Sequence, residues 1–308
     1  MVIDVHYHPL TEGWLSEGWW KTISAVYIQA LKARGMDMSE EAVRGAVLAT
    51  FWDPDGSKLV AEMDDAGIDK TVILPMDLAY AYGEPPIPVE EQNKAFARMQ
   101  EAYPDRIIAF AGVDPRRPDA VGIVERAIGE WGLKGVKIHP GAGFYPDEGA
   151  AHRFLGKVCE LGAPVLTHTG VWLGKSKPCD PIRLDEPLLD FPDLKIITAH
   201  LGRGFERQLC ELGVYRPNLA TDFSGWQLAA RGHYTAFCTA LRNALDCFGS
   251  GRVFFGTDGP FLRPAMPNKV FVQIIRELPQ KAPEGISFTD AEVEAMLGGA
   301  AAKWLGLT

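Results

Sequence analysis

Two histidines separated by one residue lie near the start of the chain and have the spacing of metal ligands. His6 and His8 end the apolar run that begins at Val2. In a β-strand, residues two apart project to the same side, so both imidazoles would leave the end of this strand together. Imidazole nitrogens are common ligands of divalent transition metals. An isolated His-x-His is a weak signal, so its interpretation depends on what the rest of the chain brings beside it.

Further apolar or β-branched runs follow the first one and alternate with segments of helical periodicity. The runs cover residues 71–76, 107–113, 135–139, 164–168, 195–200, 218–222 and 253–258. The helical segments cover residues 57–67, 89–102, 118–131, 150–161, 203–212 and 234–247. Alternating strands and helices indicate parallel βαβ units, and eight such units predict a closed barrel. An open doubly wound sheet is the alternative, but no Gly-x-Gly-x-x-Gly follows any run.

The fold class is therefore α/β, a distorted (β/α)8 TIM barrel formed by one domain over residues 1–308. Residues 11–56 form a helical insertion after the first strand, and residues 264–308 form extra C-terminal helices. The insertion is rich in tryptophan, including Trp19 and Trp20. It either covers the mouth of the barrel or forms a contact between two copies of the chain.

Composition excludes several classes of protein. The chain has 31 Lys and Arg against 40 Asp and Glu, a net charge of -9, whereas a nucleic-acid-binding surface needs concentrated basic residues. The five cysteines are scattered, which argues against a disulfide framework. No apolar stretch reaches the roughly 20 residues that span a membrane, and no secretory leader is evident. We therefore expect a soluble, cytoplasmic protein that binds neither nucleic acid nor membrane.

Polar residues that can bind metals or transfer protons recur at the ends of the predicted strands. They are His6, His8, His139, His168, His200 and Asp258. In a (β/α)8 barrel, the residues at the carboxyl ends of the strands meet on one face, where the active site lies. Imidazoles beside a carboxylate form a site suited to zinc, manganese, iron or cobalt.

Four segments, taken in order, resemble the amidohydrolase superfamily. They read Ile-Asp-Val-His6-Tyr-His8-Pro, Pro-Val-Leu-Thr-His168-Thr-Gly, Ile-Ile-Thr-Ala-His200-Leu-Gly and Val-Phe-Phe-Gly-Thr-Asp258-Gly-Pro. More narrowly, they resemble the amidohydrolase-related branch that contains aminocarboxymuconate-semialdehyde decarboxylase and γ-resorcylate decarboxylase. The resemblance extends over about residues 2–260.

This resemblance implies one divalent metal, with zinc as the first choice and manganese, iron or cobalt as alternatives. The ligands that it implies are His6, His8, His168 and Asp258. It also implies that His200 acts as a general acid or base beside the metal, with Asp258 as the second catalytic group. An ion of this kind lowers the pKa of bound water towards about 7.

The fourth predicted strand leaves the number of metals open. Lys137 and His139 share one face of it. In binuclear amidohydrolases a lysine at this position is carboxylated and bridges two ions, which would assign His168 and His200 to a second ion. The Lys-x-His-Pro pattern also resembles the mononuclear branch, in which the lysine is unmodified. We expect one metal, which makes Lys137 and His139 candidates for substrate binding.

Three further residues are candidates for substrate binding. Arg203, close behind His200, could hold a carboxylate in bidentate fashion. Asp222 ends the seventh run, and Trp172 lies on the loop after the fifth, where an aromatic wall is expected.

The function expected is a metal-dependent hydrolase that attacks a small, carboxylated organic substrate with metal-activated water. A non-oxidative decarboxylase (carboxy-lyase) or a hydratase of an aromatic or unsaturated acid would use the same metal site, so both stay open. A non-catalytic binding protein is opposed by the full set of five metal-ligand and acid/base residues. The proteins that this chain resembles are often homodimers, so we expect a homodimer.

Overall fold

The computed structural model describes residues 1–307 and contains a set of short parallel strands. They are β1 (Ile3–Tyr7), β2 (Lys70–Ile73), β3 (Ile107–Ala109), β4 (Ala111–Gly112), β5 (Val136–Ile138), β6 (Val165–Thr167), β7 (Ile196–Thr198), β8 (Leu219–Asp222) and β9 (Val253–Phe254). Strands β1 to β3 pair in sequence order, and so do β4 to β9. All of these pairs are parallel, as the alternation of strands and helices predicts.

The predicted run 107–113 is divided in two at Phe110. The amide of Phe110 donates to the carbonyl of Ile73 at 3.0 Å, whereas the amide of Ala111 donates to the carbonyl of Gly135 at 2.8 Å. The first half of the run therefore pairs with β2 and the second half with β5. The two sheets are two parts of one ring of strands.

Hydrogen bonds between the first and last runs close this ring. The amide of Val5 donates to the carbonyl of Phe255 at 3.0 Å, and the amide of Asp258 donates to the carbonyl of His6 at 2.8 Å. The amide of His8 donates to the carbonyl of Gly259 at 2.7 Å. The predicted fold class, an α/β (β/α)8 barrel, is confirmed.

Fifteen α-helices lie within residues 1–307. They are α1 (Glu17–Lys32), α2 (Glu40–Ala46), α3 (Ser57–Ala66), α4 (Ala79–Tyr82), α5 (Val89–Ala102), α6 (Ala120–Gly129), α7 (Gly149–Glu160), α8 (Asp185–Asp190), α9 (Glu206–Tyr215), α10 (Gln227–Gly232), α11 (Tyr234–Phe248), α12 (Asn268–Arg276), α13 (Leu278–Lys281), α14 (Asp290–Glu294) and α15 (Ala300–Trp304). None of them is long and apolar enough to cross a membrane. Helices α1 and α2 belong to the predicted insertion, and α12 to α15 belong to the predicted C-terminal helices.

Helix α9 starts later than the periodicity of the sequence predicts. The pattern predicts a helix over residues 203–212, but α9 spans Glu206–Tyr215. The preceding segment contains left-handed residues, with φ of 64° at His200 and 52° at Leu201. Left-handed backbone cannot continue a right-handed helix, so the helix begins only after this turn.

Neighbouring strand residues alternate between two hydrophobic clusters, as the two-residue period of a strand requires. Leu166 and Ile197 belong to an inner cluster with residues of the other strands and α15. Val165 and Ile196, one position earlier, belong to a larger cluster that includes the helices around the barrel. Phe110 is fully buried in the inner cluster, at the point where the strand pairing changes partner.

Phe110→Ala tests whether this side chain stabilises the barrel. Removing a fully buried aromatic ring should lower the free energy of unfolding by about 3 to 5 kcal/mol, because a cavity replaces it. Denaturant titration followed by tryptophan fluorescence measures the change. Tyr215→Ala is the control, because Tyr215 is 69% exposed and its loss should have little effect. Equal destabilisation by the two variants would contradict the assignment.

Candidate metal centre

The carboxyl ends of the strands bring the predicted polar residues together. His6 lies in the last part of β1 and His8 follows that strand directly. His139 and His168 are the first residues after β5 and β6, and His200 is the second residue after β7. Their rings form a continuous chain from His8 through His6, His200 and His168 to His139, with successive centroids 5.0, 4.9, 5.0 and 4.2 Å apart.

All five imidazoles are buried, and burial sets their protonation. Desolvation, with the positive charge of Lys137 as a further cause, lowers the pKa of His8 to about 3. Burial lowers the pKa of His200 to about 4, although the nearby Asp222 carboxylate opposes the shift. Burial also lowers the pKa values of the other three rings well below the usual range. The rings are therefore neutral near pH 7, the form that binds metals.

Hydrogen bonds to the Nδ1 atoms show which nitrogens of His6 and His8 are free. Nδ1 of His8 lies 2.7 Å from the carbonyl oxygen of Leu74, and Nδ1 of His6 lies 2.9 Å from Oδ2 of Asp222. A carbonyl and a carboxylate only accept, so both Nδ1 atoms carry the hydrogen. Each Nε2 then has a free lone pair.

These two lone pairs converge with a carboxylate, which is the arrangement that a cation fits. The Nε2 atoms of His6 and His8 are 3.0 Å apart, too close for two acceptors without a positive charge between them. Oδ1 of Asp258 lies 3.7 Å from the first and 3.6 Å from the second. The three residues form a group whose donor atoms all lie within 4.8 Å of one another. Three of the four predicted ligands are thus brought together.

His168, the fourth predicted ligand, lies beside this group. Its Nε2 is buried and has no hydrogen-bond partner within residues 1–307. Its ring centroid is 5.0 Å from that of His200, which in turn stacks on His6. A buried nitrogen without a partner is costly unless a ligand satisfies it, so His168 fits the same role.

Lys137 lies next to the group as a buried cation. Its Nζ is 3.4 Å from Nε2 of His6, and its side chain is only 2% exposed. Burial lowers the pKa of Lys137 to about 8, although the carboxylates of Asp222 and Asp258 oppose this shift. Desolvation likewise raises the pKa of Asp258 to about 7, opposed by Lys137.

Asp222 lies behind the metal ligands and not at the substrate side where the sequence prediction placed it. It is fully buried, and Oδ2 accepts from His6 Nδ1 while Oδ1 accepts from the amide of His200 at 3.1 Å. A carboxylate on the far nitrogen of a metal-ligating histidine fixes the ring and its tautomer. The contacts of Asp222 therefore fit the orientation of His6 and not a contact with substrate.

Two residues of the site were missed by the sequence analysis. Asp4 accepts hydrogen bonds from Thr257, at 2.9 Å from the amide and 2.6 Å from Oγ1, and from the amide of His6 at 3.0 Å. It therefore joins β1 to the loop that carries Asp258. Desolvation raises the pKa of Asp4 to about 7. The second residue, Ser224, contacts both Asp222 and His200. Aspartate and serine have no distinctive spacing that marks them in a sequence.

Arg203 and Trp226 brace the turn that carries His200. Nη1 of Arg203 donates to the carbonyl of Gly225 at 3.1 Å, and its guanidinium lies 5.8 Å from the ring of Trp226. Nε1 of Trp226 donates to the carbonyl of His200 at 2.8 Å. Arg203 itself is exposed.

Aromatic rings from three parts of the chain form a roof, defined here as Trp19, Trp172 and Phe261. Trp19 of α1 stacks on Trp172 at 5.5 Å between centroids, and Trp172 lies 4.0 Å from the ring of His139. Phe261 lies 6.0 Å from the ring of His8. Through Trp19, the insertion thus covers the mouth of the barrel, which is one of the two positions expected for it from the sequence.

A family model described as Amidohydrolase matches residues 3–307. An uncharacterised TIM-barrel protein from Bordetella bronchiseptica is 22% identical, with a TM-score of 0.72 and coverage of 99% of this chain and 98% of that one. No curated protein matches the sequence.

Two solved decarboxylases are also similar in fold. The 5-carboxyvanillate decarboxylase from Sphingomonas paucimobilis is 16% identical, with a TM-score of 0.65 and coverage of 100% of this chain and 99% of that one. A dihydroxybenzoic acid decarboxylase from Polaromonas sp. JS666, solved with manganese and 2-nitroresorcinol, is 17% identical. Its TM-score is 0.66, with coverage of 99% of this chain and 97% of that one. At these identities the likeness establishes the fold.

Asp222→Asn tests the support of the metal ligand. The asparagine side chain lacks the negative charge that holds the hydrogen on Nδ1 of His6. The affinity for zinc should therefore fall about 10- to 100-fold. Competition against a fluorescent chelator measures it. Asp190→Asn is the matched control, because Asp190 accepts from Nε2 of His152 at 2.8 Å on the surface. Equal zinc affinity of Asp222→Asn and the unmodified protein would contradict the assignment.

Proposed function

This chain belongs to the amidohydrolase family, and we propose that it is a hydrolase of a small, carboxylated organic substrate. The family match confirms the class of enzyme expected from the sequence, a metal-dependent hydrolase or carboxy-lyase. The observation that carries the proposal is the convergence of the two Nε2 lone pairs of His6 and His8 with Asp258. A divalent ion held there, with His168 as a further ligand, supplies the positive charge that lowers the pKa of water and polarises a carbonyl oxygen.

Zinc is the ion we propose, because imidazoles and one carboxylate form the type of ligand set that catalytic zinc uses. Manganese, iron and cobalt bind similar groups and stay alternatives. Lys137 is proposed as an unmodified lysine beside a single metal, because the carboxylates of Asp222 and Asp258 favour its charged ammonium form. The homodimer and the cytoplasmic location stay predictions.

His200 is proposed as the group that accepts and returns the proton. Its Nδ1 lies 3.0 Å from the carbonyl oxygen of Ser224, which only accepts, so Nδ1 carries the hydrogen and Nε2 has a lone pair. A neutral imidazole in this state first takes a proton from the attacking water and then donates it to the leaving group. Asp258, itself one of the proposed metal ligands, is a second acceptor for the same proton.

Lys137 is proposed as the group that binds the carboxylate of the substrate. It is a buried cation at the site, and an ammonium and a carboxylate form a strong ion pair where water is excluded. His139 and Trp172 are proposed to contact the body of the substrate, since their rings pack together 4.0 Å apart beside His168. Arg203 is proposed as a contact at the rim.

A panel of lactones, amides and carboxylated ketones tests the hydrolase against its alternatives. We expect acid release without carbon dioxide, because a proton acceptor beside a metal site favours attack by water. A pH indicator measures acid release from the lactones and ketones, and an amine assay measures hydrolysis of the amides, whose products release no net proton near pH 7. A carbon dioxide detector monitors the same reactions. Carbon dioxide as the product would replace hydrolysis with decarboxylation, and addition of water without acid release would identify a hydratase.

Decarboxylation is the second candidate, and the aromatic roof favours it. The stacked rings of Trp19 and Trp172 beside the site suit a flat aromatic acid. Two similar structures are named as decarboxylases of 5-carboxyvanillate and of dihydroxybenzoic acid. This chemistry needs an acid that protonates carbon as carbon dioxide leaves, and Asp258, which lies beside His6 and His8, is the candidate. Hydroxybenzoates therefore belong in the panel.

His200→Asn separates metal binding from turnover. We expect the variant to keep about one equivalent of metal but to lose turnover by about 100-fold or more, because a proton acceptor is lost while the predicted ligands are unchanged. Elemental analysis and the product assay are run on the same sample.

Chelator-treated protein should lose activity and regain it with zinc or manganese. A metal-loaded protein with no turnover across the panel would favour the non-catalytic binding role.

A further inference from the structure

Ser224 occupies a position between the two histidines that the proposed function depends on most. Its side chain is fully buried, two residues after β8 ends at Asp222. Oγ lies 2.8 Å from Nδ1 of His200 and 3.1 Å from Nδ1 of His6, and its hydroxyl donates to Oδ1 of Asp222 through a short hydrogen bond. One hydroxyl thus contacts both rings and the carboxylate between them.

The backbone around Ser224 holds this hydroxyl in place. The amide of Ser224 donates to Oδ1 of Asp222 at 2.9 Å. Gly225 has a φ of 79°, and a Cβ there would lie 3.1 Å from Nδ1 of His200, so the turn needs glycine to pass close to the ring. A Cβ on Gly256 would lie 3.0 Å from Cβ of Ser224, so the last strand run passes directly behind it.

The positions of the hydrogens follow from the groups that can only accept. The carbonyl oxygen of Ser224 takes the hydrogen of His200 Nδ1 at 3.0 Å, and Oδ2 of Asp222 takes that of His6 Nδ1 at 2.9 Å. Both ring nitrogens near Oγ are therefore donors. The hydroxyl hydrogen is left with Asp222 as its acceptor, and the lone pairs of Oγ face the two N–H groups.

We propose that Ser224 is a positioning residue that holds His6 and His200 together in the Nδ1-protonated tautomer. The two rings stack at 4.9 Å with Nδ1 of each towards Ser224, which leaves each Nε2 on the other side, as an unprotonated acceptor. The inference rests on the proposed function, because it explains why His6 can bind the metal and His200 can accept a proton. It goes beyond that function, because it gives the neutral hydroxyl of Ser224 a share in fixing both tautomers, beside the carboxylate of Asp222 and the backbone carbonyl of Ser224.

Nitrogen-15 NMR of the full-length protein measures these tautomers directly. The protein is labelled at its seven histidines and freed of metal with a chelator. Long-range proton–nitrogen correlations then show which nitrogen of each ring carries the hydrogen, with the surface residues His152 and His233 as references. We expect the hydrogen on Nδ1 of both His6 and His200. A hydrogen on Nε2 of His200 in the unmodified protein would by itself overturn the proposal.

Ser224→Ala tests the part played by the hydroxyl. We expect a measurable fraction of His200 to carry the hydrogen on Nε2, and zinc affinity, measured by chelator competition, to fall about 10-fold. Turnover should fall with little change in KM. Ser224→Cys keeps a side chain of similar size with a weak donor and acceptor, and should give values between those of the alanine variant and the unmodified protein. Ser24→Ala, which removes a buried hydroxyl from α1, should change none of them.

The outcomes separate this inference from the proposed function. If Ser224→Ala leaves the tautomers and the zinc affinity unchanged, the proposal is wrong, even if turnover falls. If the alanine variant does not fold, Ser224→Cys replaces it, with the same expected direction because a thiol is a weaker donor and acceptor. If the tautomers respond as expected but the unmodified protein turns over no substrate, the positioning role of Ser224 is supported and the proposed hydrolase function is wrong.

Discussion

The site depends on two lone pairs that face each other. Nε2 of His6 and Nε2 of His8 lie 3.0 Å apart, and neither can donate, because Asp222 and the carbonyl of Leu74 hold the hydrogens on the opposite nitrogens. Two acceptors at this distance need a positive charge beside them. The chain itself brings Lys137 to 3.4 Å from one of them, and a divalent ion fits the same need.

The barrel supplies hydrogen bonds that allow these polar groups to be buried away from water. Buried polar groups are tolerated when they are hydrogen-bonded, and Asp222 has partners on both oxygens. Asp4 has a similar role at the junction of β1 and the last run, where it holds Thr257. Asp222 ends β8 at the carboxyl end of the barrel, and Asp4 lies two residues before His6 in β1, so both join chain segments that are far apart in sequence. The hydrophobic clusters below need no polar partners and supply a rigid support.

The meeting of the candidate metal ligands could be predicted from the sequence, whereas the residues that support them could not. His6, His8 and Asp258 fall at strand ends, and strand ends of a barrel converge, so their meeting follows from the pattern. Asp4 and Ser224 act through contacts with residues more than 200 positions away, and neither residue type nor spacing reveals those contacts. The late start of α9 follows from a left-handed turn that begins at His200 and Leu201, two residue types that do not mark such a turn in a sequence. Local patterns report periodicity and not such tertiary constraints.

Anomalous diffraction from crystals grown with zinc tests the central claim most directly. A single strong peak should lie within about 2.0 to 2.2 Å of Nε2 of His6, Nε2 of His8 and a carboxylate oxygen of Asp258. A peak that is also within this distance of His168 would complete the predicted ligand set. No peak at this position, or a peak at the neighbouring group of His6, His200 and Asp222, would contradict the account.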